Sequence, residues 1–420
     1  MTLHLKVVGI NHRTAPLEFR EKLAVSGPKL GPALTSLGSF TAQGIILSTC
    51  NRTEVYTTHR GSLDEAQAGL HFLCARLGKT AGELAAYCYV LEDRDAVEHL
   101  FRVASGLESM VVGESEILGQ VGQALEAAEK AGMVSLPLQR VFLQAVGTGR
   151  KVREETGIGK NAVSISSIAL DKAANILGDF KSCKVLVLGA GEAGQLVAKV
   201  ARDRGARQIL IASRTIERSQ ALAEAMGGTP IDLSSLAEVL CECSVVVTCA
   251  VAPHWILETN QVETAMRHRT APLVLIDIAV PRNVNPAVGQ LPNVFLYNID
   301  DMVSASQANR KQREGWIEQA VEVVTSEACR TMSWWQTLAT RPVVRALMSQ
   351  AEEIRAQQVA KTLPKLPSLS AEERASLEAM TKAIVSRILR KPIRCLEGSD
   401  GVEYGEAVRG LFNLDTEGTG

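Results

Sequence analysis

No uncharged apolar run among the 420 residues reaches the roughly 18–20 needed to span a bilayer, so no membrane helix organises the chain. The nine cysteines include no CxxC pair, and Cys241-Glu242-Cys243 has the wrong spacing for two zinc ligands. The count is odd, and Cys74, Cys183 and Cys249 lie in apolar stretches where a thiol packs as a small hydrophobe. Both facts argue against a disulfide scaffold and a structural metal. An excess of one charge is missing too: 45 Lys and Arg stand against 46 Asp and Glu, a formal net charge of −1. That balance offers no global reason to expect a nucleic-acid or membrane partner. The start, Met1-Thr2-Leu3-His4-Leu5-Lys6, lacks the basic and long apolar regions of a secretory leader and the Arg/Ser-rich make-up of an organelle leader. A cytoplasmic protein is expected.

What is present reads as an α/β multidomain chain of two or three domains. Residues 1–158 mix strand-like and helical runs. Residues 159–305 alternate β-rich apolar runs with amphipathic helices, the pattern of a parallel sheet. Strand signals vanish over 306–420. There, Trp316 to Thr340 contains neither Gly nor Pro, and Ile317, Ala320, Val321, Val324, Ala328 and Met332 recur at helical spacing, which predicts a long helix. The Gly-rich, acidic last 20 residues are expected to form a loose tail.

Lys184-Val-Leu-Val-Leu188 reads as a strand. It runs into Gly189-Ala190-Gly191-Glu192-Ala193-Gly194 and then into an apolar-periodic helix. In strand–GxGxxG–helix, the first glycine permits the tight turn and the second lets a pyrophosphate approach the backbone. The third lets helix and strand pack closely, and the helix N-terminus offers free amides to phosphate. The next strand, Gln208 to Ala212, ends at Ser213-Arg214 where an NAD site would place a carboxylate for the ribose 2′-hydroxyl. A hydroxyl and a guanidinium suit a 2′-phosphate, so NADP(H) is the expected cofactor; the competing reading makes Arg214 a solvated surface charge.

Gly44 to Thr49 reads as a buried strand that ends at Cys50-Asn51-Arg52-Thr53-Glu54. Cys50 thus stands where a sheet gives way to a polar turn, with Arg52 near enough in sequence to favour the thiolate. A thiol paired with a hydride donor suits interconversion of an acyl group and an aldehyde. The thiol takes the acyl group as a thioester, a better hydride acceptor than an oxygen ester, and one hard step becomes two easier ones.

Ser48-Thr-Cys-Asn-Arg-Thr-Glu-Val-Tyr56 resembles the signature of the glutamyl-tRNA reductase family. So do Val8-Gly-Ile-Asn-His-Arg-Thr-Ala-Pro16, Arg20-Glu-Lys-Leu23, His99 to Leu107, Gly113-Glu-Ser-Glu-Ile-Leu-Gly-Gln120, Ile276 to Arg282 and Asn298-Ile-Asp-Asp301, in matching order and spacing over about residues 5–415. The resemblance implies NADPH-dependent reduction of the glutamyl group of glutamyl-tRNA(Glu) to glutamate-1-semialdehyde. This is the first step of five-carbon tetrapyrrole synthesis, with tRNA released as Cys50 takes the glutamyl group. By position, Thr49, Asn51, Arg52, Ser109, Glu114, Ser115, Glu116 and Gln120 would line the glutamate pocket. Arg52 would then meet the γ-carboxylate, and Glu114 and Glu116 the α-ammonium. The family often has Pro or Gly where Ser115 stands. His99 matches a histidine important for activity, although its apolar neighbours also suit a packed imidazole.

The implied architecture is an N-terminal α/β catalytic domain, a Rossmann-type NADPH domain and a long spinal helix leading to an all-α dimerisation domain. It implies a V-shaped homodimer and a transient complex with the following aminomutase. Two alternatives stay open at this point: an NADP-dependent thioester or aldehyde oxidoreductase acting on a free small molecule, and a non-catalytic nicotinamide sensor. A tRNA substrate also changes the reading of charge, because residues 330–394 carry 12 Lys and Arg against five Glu, a local +7 that the global balance hides.

Overall fold

The structure, a computed structural model, describes residues 3–25, 27–159, 164–267, 269–302, 313–398 and 401–414. The expected boundary at 305/306 lies outside them. The chain falls into two compact units, one of residues 5–58 and 63–325, the other of residues 1–4, 59–62 and 326–420.

The larger unit carries two sheets. In the first, β1 (His4–Asn11), β2 (Gly44–Ser48), β3 (Arg52–His59) and β4 (Tyr89–Glu92) lie in the order β2-β3-β1-β4. β2 and β3 form an antiparallel hairpin whose last ladder pair is Ser48 with Thr53. Two helices matter for function. Asp93–Ala104 buries Ala96, Val97, Leu100, Phe101, Val103 and Ala104 as an apolar stripe and carries His99 beside it. Glu116–Lys130 buries Ile117, Val121, Ala124, Leu125 and Ala128, which leaves Glu116, Gln120 and Gln123 along a neighbouring stripe.

The second sheet comprises β5 (Lys184–Leu188), β6 (Gln208–Ala212), β7 (Thr229–Ile231), β8 (Val245–Thr248), β9 (Leu273–Asp277) and β10 (Val294–Asn298), in the order β10-β9-β8-β5-β6-β7. All five pairings are parallel. Period-two alternation sorts the apolar runs into two cores. Val185, Val187, Ile209, Ile211, Val245, Val247, Val274 and Ile276 fill one face. Leu186, Leu188, Leu210, Ala212, Val246, Leu273 and Leu275 fill the other. Such strands, buried on both sides, read as continuous hydrophobic runs, which is why β5 and β6 are legible residue by residue. The strand order reverses between β5 and β8, which opens a crevice beyond their carboxyl ends.

The last elements are the helices Glu314–Thr362, Ala371–Leu396 and Gly401–Phe412. The first is longer than the Gly- and Pro-free stretch predicts. Pro342 lies inside it without ending it, where Thr340, Val343 and Leu347 are buried and their packing offsets the missing backbone bond. The expected loose tail is a second correction. Residues 401–412 are helical, and Val408 and Leu414 pack against a small core of Val343, Leu347, Leu389 and Leu396. Tertiary packing thus overrides a Gly-rich, acidic composition. The fold class is the α/β multidomain one expected, with a Rossmann-type sheet and a long helix leading into an all-α segment.

Candidate functional site

The hairpin between β2 and β3 places the candidate nucleophile. Thr49 Oγ1 accepts from the amides of Asn51 and Arg52 at 3.1 and 3.3 Å, and the Thr49 amide donates to the Arg52 carbonyl at 2.8 Å. Cys50 and Asn51 are therefore the two residues at the tip of a tight turn. Arg20, buried in the Leu17–Leu23 helix, pins that turn by donating from Nη1 to the Cys50 carbonyl at 2.9 Å, while its other terminal nitrogen meets Asp300.

Cys50 opens into a cavity of about 290 Å³. Its walls include Thr49, Glu116, Gln120 and, from around the second sheet, Ala193 at the start of the Glu192–Asp203 helix and Cys249 and Ala250 after β8. The thiol's cavity thus shares Cys249 and Ala250 with the dinucleotide crevice. Asn51, Arg52, Ser109, Glu114, Ser115 and His99 are not among the walls. Glu114 is nonetheless close enough to act on the sulfur. Burial, then the charges of Glu114 and Glu116, push the Cys50 thiol up to about 12, against a smaller opposing pull from Arg20. This corrects the expectation of a resting thiolate favoured by Arg52: the nearby cation is Arg20, and two carboxylates outweigh it. Glu114 is itself raised to about 7, by burial against a hydrogen bond from Ser109.

Arg52 is spoken for elsewhere. It is 2% exposed, donates from Nη1 to Glu54 Oε1 at 2.8 Å and from Nη2 to the Glu108 carbonyl. Glu54, fully buried, also accepts from Tyr56 Oη at 2.6 Å, from Tyr89 Oη and from His99 Nε2 at 2.9 Å. Four donors on one carboxylate hold it ionised far below the usual range despite its burial, with Arg52 the largest favourable cause. Because a carboxylate only accepts, His99 carries its proton on Nε2 in this bond. Gly9 makes room for the hub, since a Cβ there would come within 2.7 Å of Glu54 Cγ. Ser115 is exposed at the start of the Glu116–Lys130 helix.

Two residues escaped the sequence reading. Arg20 was legible only as part of a motif. His12 donates its amide to the Asn51 carbonyl at 2.9 Å, and burial beside Arg13 and Arg52 lowers its imidazole to about 4. Its Nδ1 is a buried nitrogen with no partner among the described residues, as is Asn51 Oδ1 on the acceptor side.

The dinucleotide crevice follows the expected layout. Gly189, Ala190 and Gly191 line a cavity of about 200 Å³ with Ser213, Arg214, Thr215 and Arg218. Gly189 has φ +129°, and a Cβ on Gly194 would lie 1.9 Å from the Gly189 carbonyl oxygen, so neither position admits a side chain. The helix Glu192–Asp203 begins there with no side-chain cap, leaving its amides for a pyrophosphate. No carboxylate lines this cavity, and two guanidiniums do, which fits a dinucleotide bearing a 2′-phosphate. Cys249 stands at the end of β8 with its Sγ near the Leu188 and Gly189 carbonyls and lines both cavities. Asp277 folds the neighbouring loop by accepting from Thr248 Oγ1 and from the amides of Ala279, Asn283 and Val284; Asn283 in turn accepts from the Ala250 amide at 3.0 Å.

We expect Arg214→Ala to weaken NADPH binding roughly 10- to 100-fold, the worth of a lost charge-assisted bond, with NADH binding little changed. Fluorescence titration of both nucleotides checks it, and an equal loss for the two would return Arg214 to the solvated surface.

Comparison with known proteins agrees with this geometry. Residues 8–156 match the model of the glutamyl-tRNAGlu reductase N-terminal domain, 171–305 that of shikimate/quinate 5-dehydrogenase, and 319–414 that of the glutamyl-tRNAGlu reductase dimerisation domain. A glutamyl-tRNA reductase from Carboxydothermus hydrogenoformans is 39% identical, over 99% of this chain and 94% of the relative. One from Priestia megaterium is 36% identical, over 98% and 93%. The solved glutamyl-tRNA reductase of Methanopyrus kandleri is 32% identical, covers 98% of this chain and 99% of its own, and has a TM-score of 0.49. With near-complete coverage at this identity, and with the thiol's cavity sharing Cys249, Ala250 and Val251 with the dinucleotide crevice, the chain belongs to the glutamyl-tRNA reductase family.

Proposed function

We propose that this oxidoreductase converts the glutamyl group of glutamyl-tRNA(Glu) to glutamate-1-semialdehyde through a Cys50 thioester, the first step of five-carbon tetrapyrrole synthesis. The observation that carries the reading is the cavity that Cys50 shares with Ala193, at the start of the Glu192–Asp203 helix, and with Cys249 and Ala250 after β8. When bound, NADPH supplies a hydride there. Cys50 Sγ attacks the ester carbonyl carbon. The carbon–oxygen bond to the terminal ribose breaks, and the thiol proton ends on that ribose oxygen. After hydride addition the carbon–sulfur bond breaks, which frees the aldehyde and leaves the Cys50 thiolate, and a proton from solvent regenerates the thiol.

Glu114, Glu116 and the unpaired Asn51 Oδ1 suit the α-ammonium of the glutamyl group, with Thr49 and Gln120 supplying further polar contacts, while Ser109 acts through its hydrogen bond to Glu114 and Ser115 stands outside the cavity. Arg52 reaches a γ-carboxylate only by sharing with Glu54, so its position also depends on His99, Tyr56 and Tyr89 through that hub. His12, neutral and with a free ring nitrogen, suits passing the thiol proton.

Met380, Ile384 and Ile388 recur at four-residue spacing and are 55%, 49% and 65% exposed on the Ala371–Leu396 helix. A second copy of the chain covering that apolar face supports a homodimer. Among the described residues no helix is long and apolar enough to cross a membrane; the reading adds a cytoplasmic enzyme. An α-amino aldehyde product is reactive, which favours hand-over to the following aminomutase in a transient complex.

NADPH oxidation should require glutamyl-tRNA(Glu), with glutaminyl-tRNA and free glutamate inert. Turnover on a free acyl thioester or acyl phosphate without tRNA would instead select the small-molecule oxidoreductase.

A further inference from the structure

A cleft of about 840 Å³ in the sheet-bearing unit is separate from the two cavities described above. Its walls bring Lys22 and Lys29 from the segment after β1 together with Arg76, Trp255 and His254, and with Arg214 and Ala252, which also line the dinucleotide crevice. Arg282 also lines it but is neutralised by a two-pronged bond to Glu21, with Nε to Oε1 at 2.8 Å and Nη2 to Oε2 at 2.9 Å. Lys22, Lys29 and Arg76 pair with no acid among the described residues; Arg76 lies over the Phe72 ring at 5.9 Å. Trp255 is 46% exposed, an expensive way to leave a large aromatic in water, and Val251 beside it is 52% exposed.

Continuity gives the cleft its direction. Val251 lines this cleft, the dinucleotide crevice and the Cys50 cavity, and Ala24 is shared with the Cys50 cavity. The cleft therefore adjoins the cavity that holds the thiol. Unpaired cations together with an exposed aromatic plane are the two components of a single-stranded nucleic-acid groove, phosphates on the cations and a base on the ring. The substrate class already proposed presents such a strand: the reacting ester sits on the terminal ribose of an unpaired 3′ end.

We propose that this cleft binds the single-stranded 3′ end of the substrate RNA, with one base stacked on Trp255 and its phosphates against Lys22, Lys29 and Arg76. The inference rests on the glutamyl-tRNA reading above. It assigns RNA contact to the sheet-bearing unit, where the composition pointed only to the basic segment 330–394.

The test measures NADPH-coupled turnover of glutamyl-tRNA by the full-length enzyme, with NADPH affinity measured separately. Trp255→Ala should raise KM for the RNA roughly fivefold or more with kcat retained, the worth of one stacked base, and Trp255→Phe should restore it. The triple variant Lys22→Ala/Lys29→Ala/Arg76→Ala should lower the slope of log KM against log salt by about 2, at about 0.7 per phosphate contact on a single strand. NADPH affinity should stay within about twofold of the wild type in both. Wild-type KM and salt slope in both variants would overturn the proposal. So would weakened NADPH binding with unchanged KM, which would hand the cleft to the dinucleotide. A wild-type enzyme that fails to turn over glutamyl-tRNA at all would overturn the underlying reaction, a result separable from either.

Discussion

Replacing Cys50 by serine is expected to lower kcat/KM for glutamyl-tRNA by roughly 10³-fold or more, because the variant cannot form the intermediate that divides the reaction. Mass spectrometry of enzyme quenched during a single turnover without NADPH should show a glutamyl adduct on the wild type and none on Cys50→Ser. A serine variant with full turnover would remove the thioester from the mechanism.

The raised thiol makes this experiment pH-dependent in a defined direction. An acid lifted to about 12 is protonated at neutral pH, so alkylation of Cys50 in the free enzyme should rise with pH by about one log unit per unit between pH 8 and 10. Near pH 7 the slope should be shallower, since Glu114 ionises there and adds the negative charge that opposes the thiolate. The glutamyl α-ammonium would neutralise Glu114 and Glu116 and so lower the thiol only when substrate is present. Alkylation that is fast and flat from pH 6 to 8 in the free enzyme would contradict this. Glu114→Gln should speed alkylation of the free enzyme while weakening glutamyl binding.

The second large effect concerns stability. Glu54→Ala leaves the Arg52 guanidinium buried without its counter-ion and removes the acceptor of Tyr56, Tyr89 and His99. Breaking a buried pair from one side costs about 3–5 kcal/mol, which for a unit of this size lowers Tm by roughly 10 °C. Glu54→Gln should cost less, since an oxygen acceptor remains, yet two acceptors would become one. The sign with pH follows from the depressed carboxyl. The stabilisation is fully present above the unfolded value of about 4.3 and is lost progressively as pH falls from there toward the lower folded value. Melting curves at pH 7 and pH 3 should therefore show the wild type losing part of its advantage over Glu54→Gln in acid. A Glu54→Ala variant within about 1 kcal/mol of the wild type at pH 7 would show that the hub is not a structural support.

His99 illustrates why a residue's role was only half legible. In sequence it is an imidazole beside Val97, Leu100, Phe101 and Val103, equally suited to packing and to proton transfer. In the structure it donates to Glu54, which accepts from Arg52, and it stands outside the walls of the Cys50 cavity. Arg52 shows the same limit from the other side. Nearness in sequence suggested that it would charge the thiol, but adjacent residues of a strand project to opposite faces and neighbours two apart share one, so Arg52 pairs with Glu54. The cation that does act on Cys50 comes from Arg20, thirty residues away in the chain.

The sequence by itself determined the local chemistry: the period-two apolar runs of the parallel sheet, the glycines whose turn admits no Cβ, the absent carboxylate after β6 and the cysteine at a polar turn. These are legible because each depends on a few consecutive residues and on steric or hydrophobic rules that act at short range. Only the tertiary structure decided what meets across the fold: Glu114, Glu116 and Arg20 around the thiol, the four donors on Glu54, the helix in place of a tail over 401–412, and a basic cleft with an exposed tryptophan that adjoins the Cys50 cavity. Electrostatics and packing depend on distances through space, and residues brought together by long-range contacts leave no periodic mark on the chain.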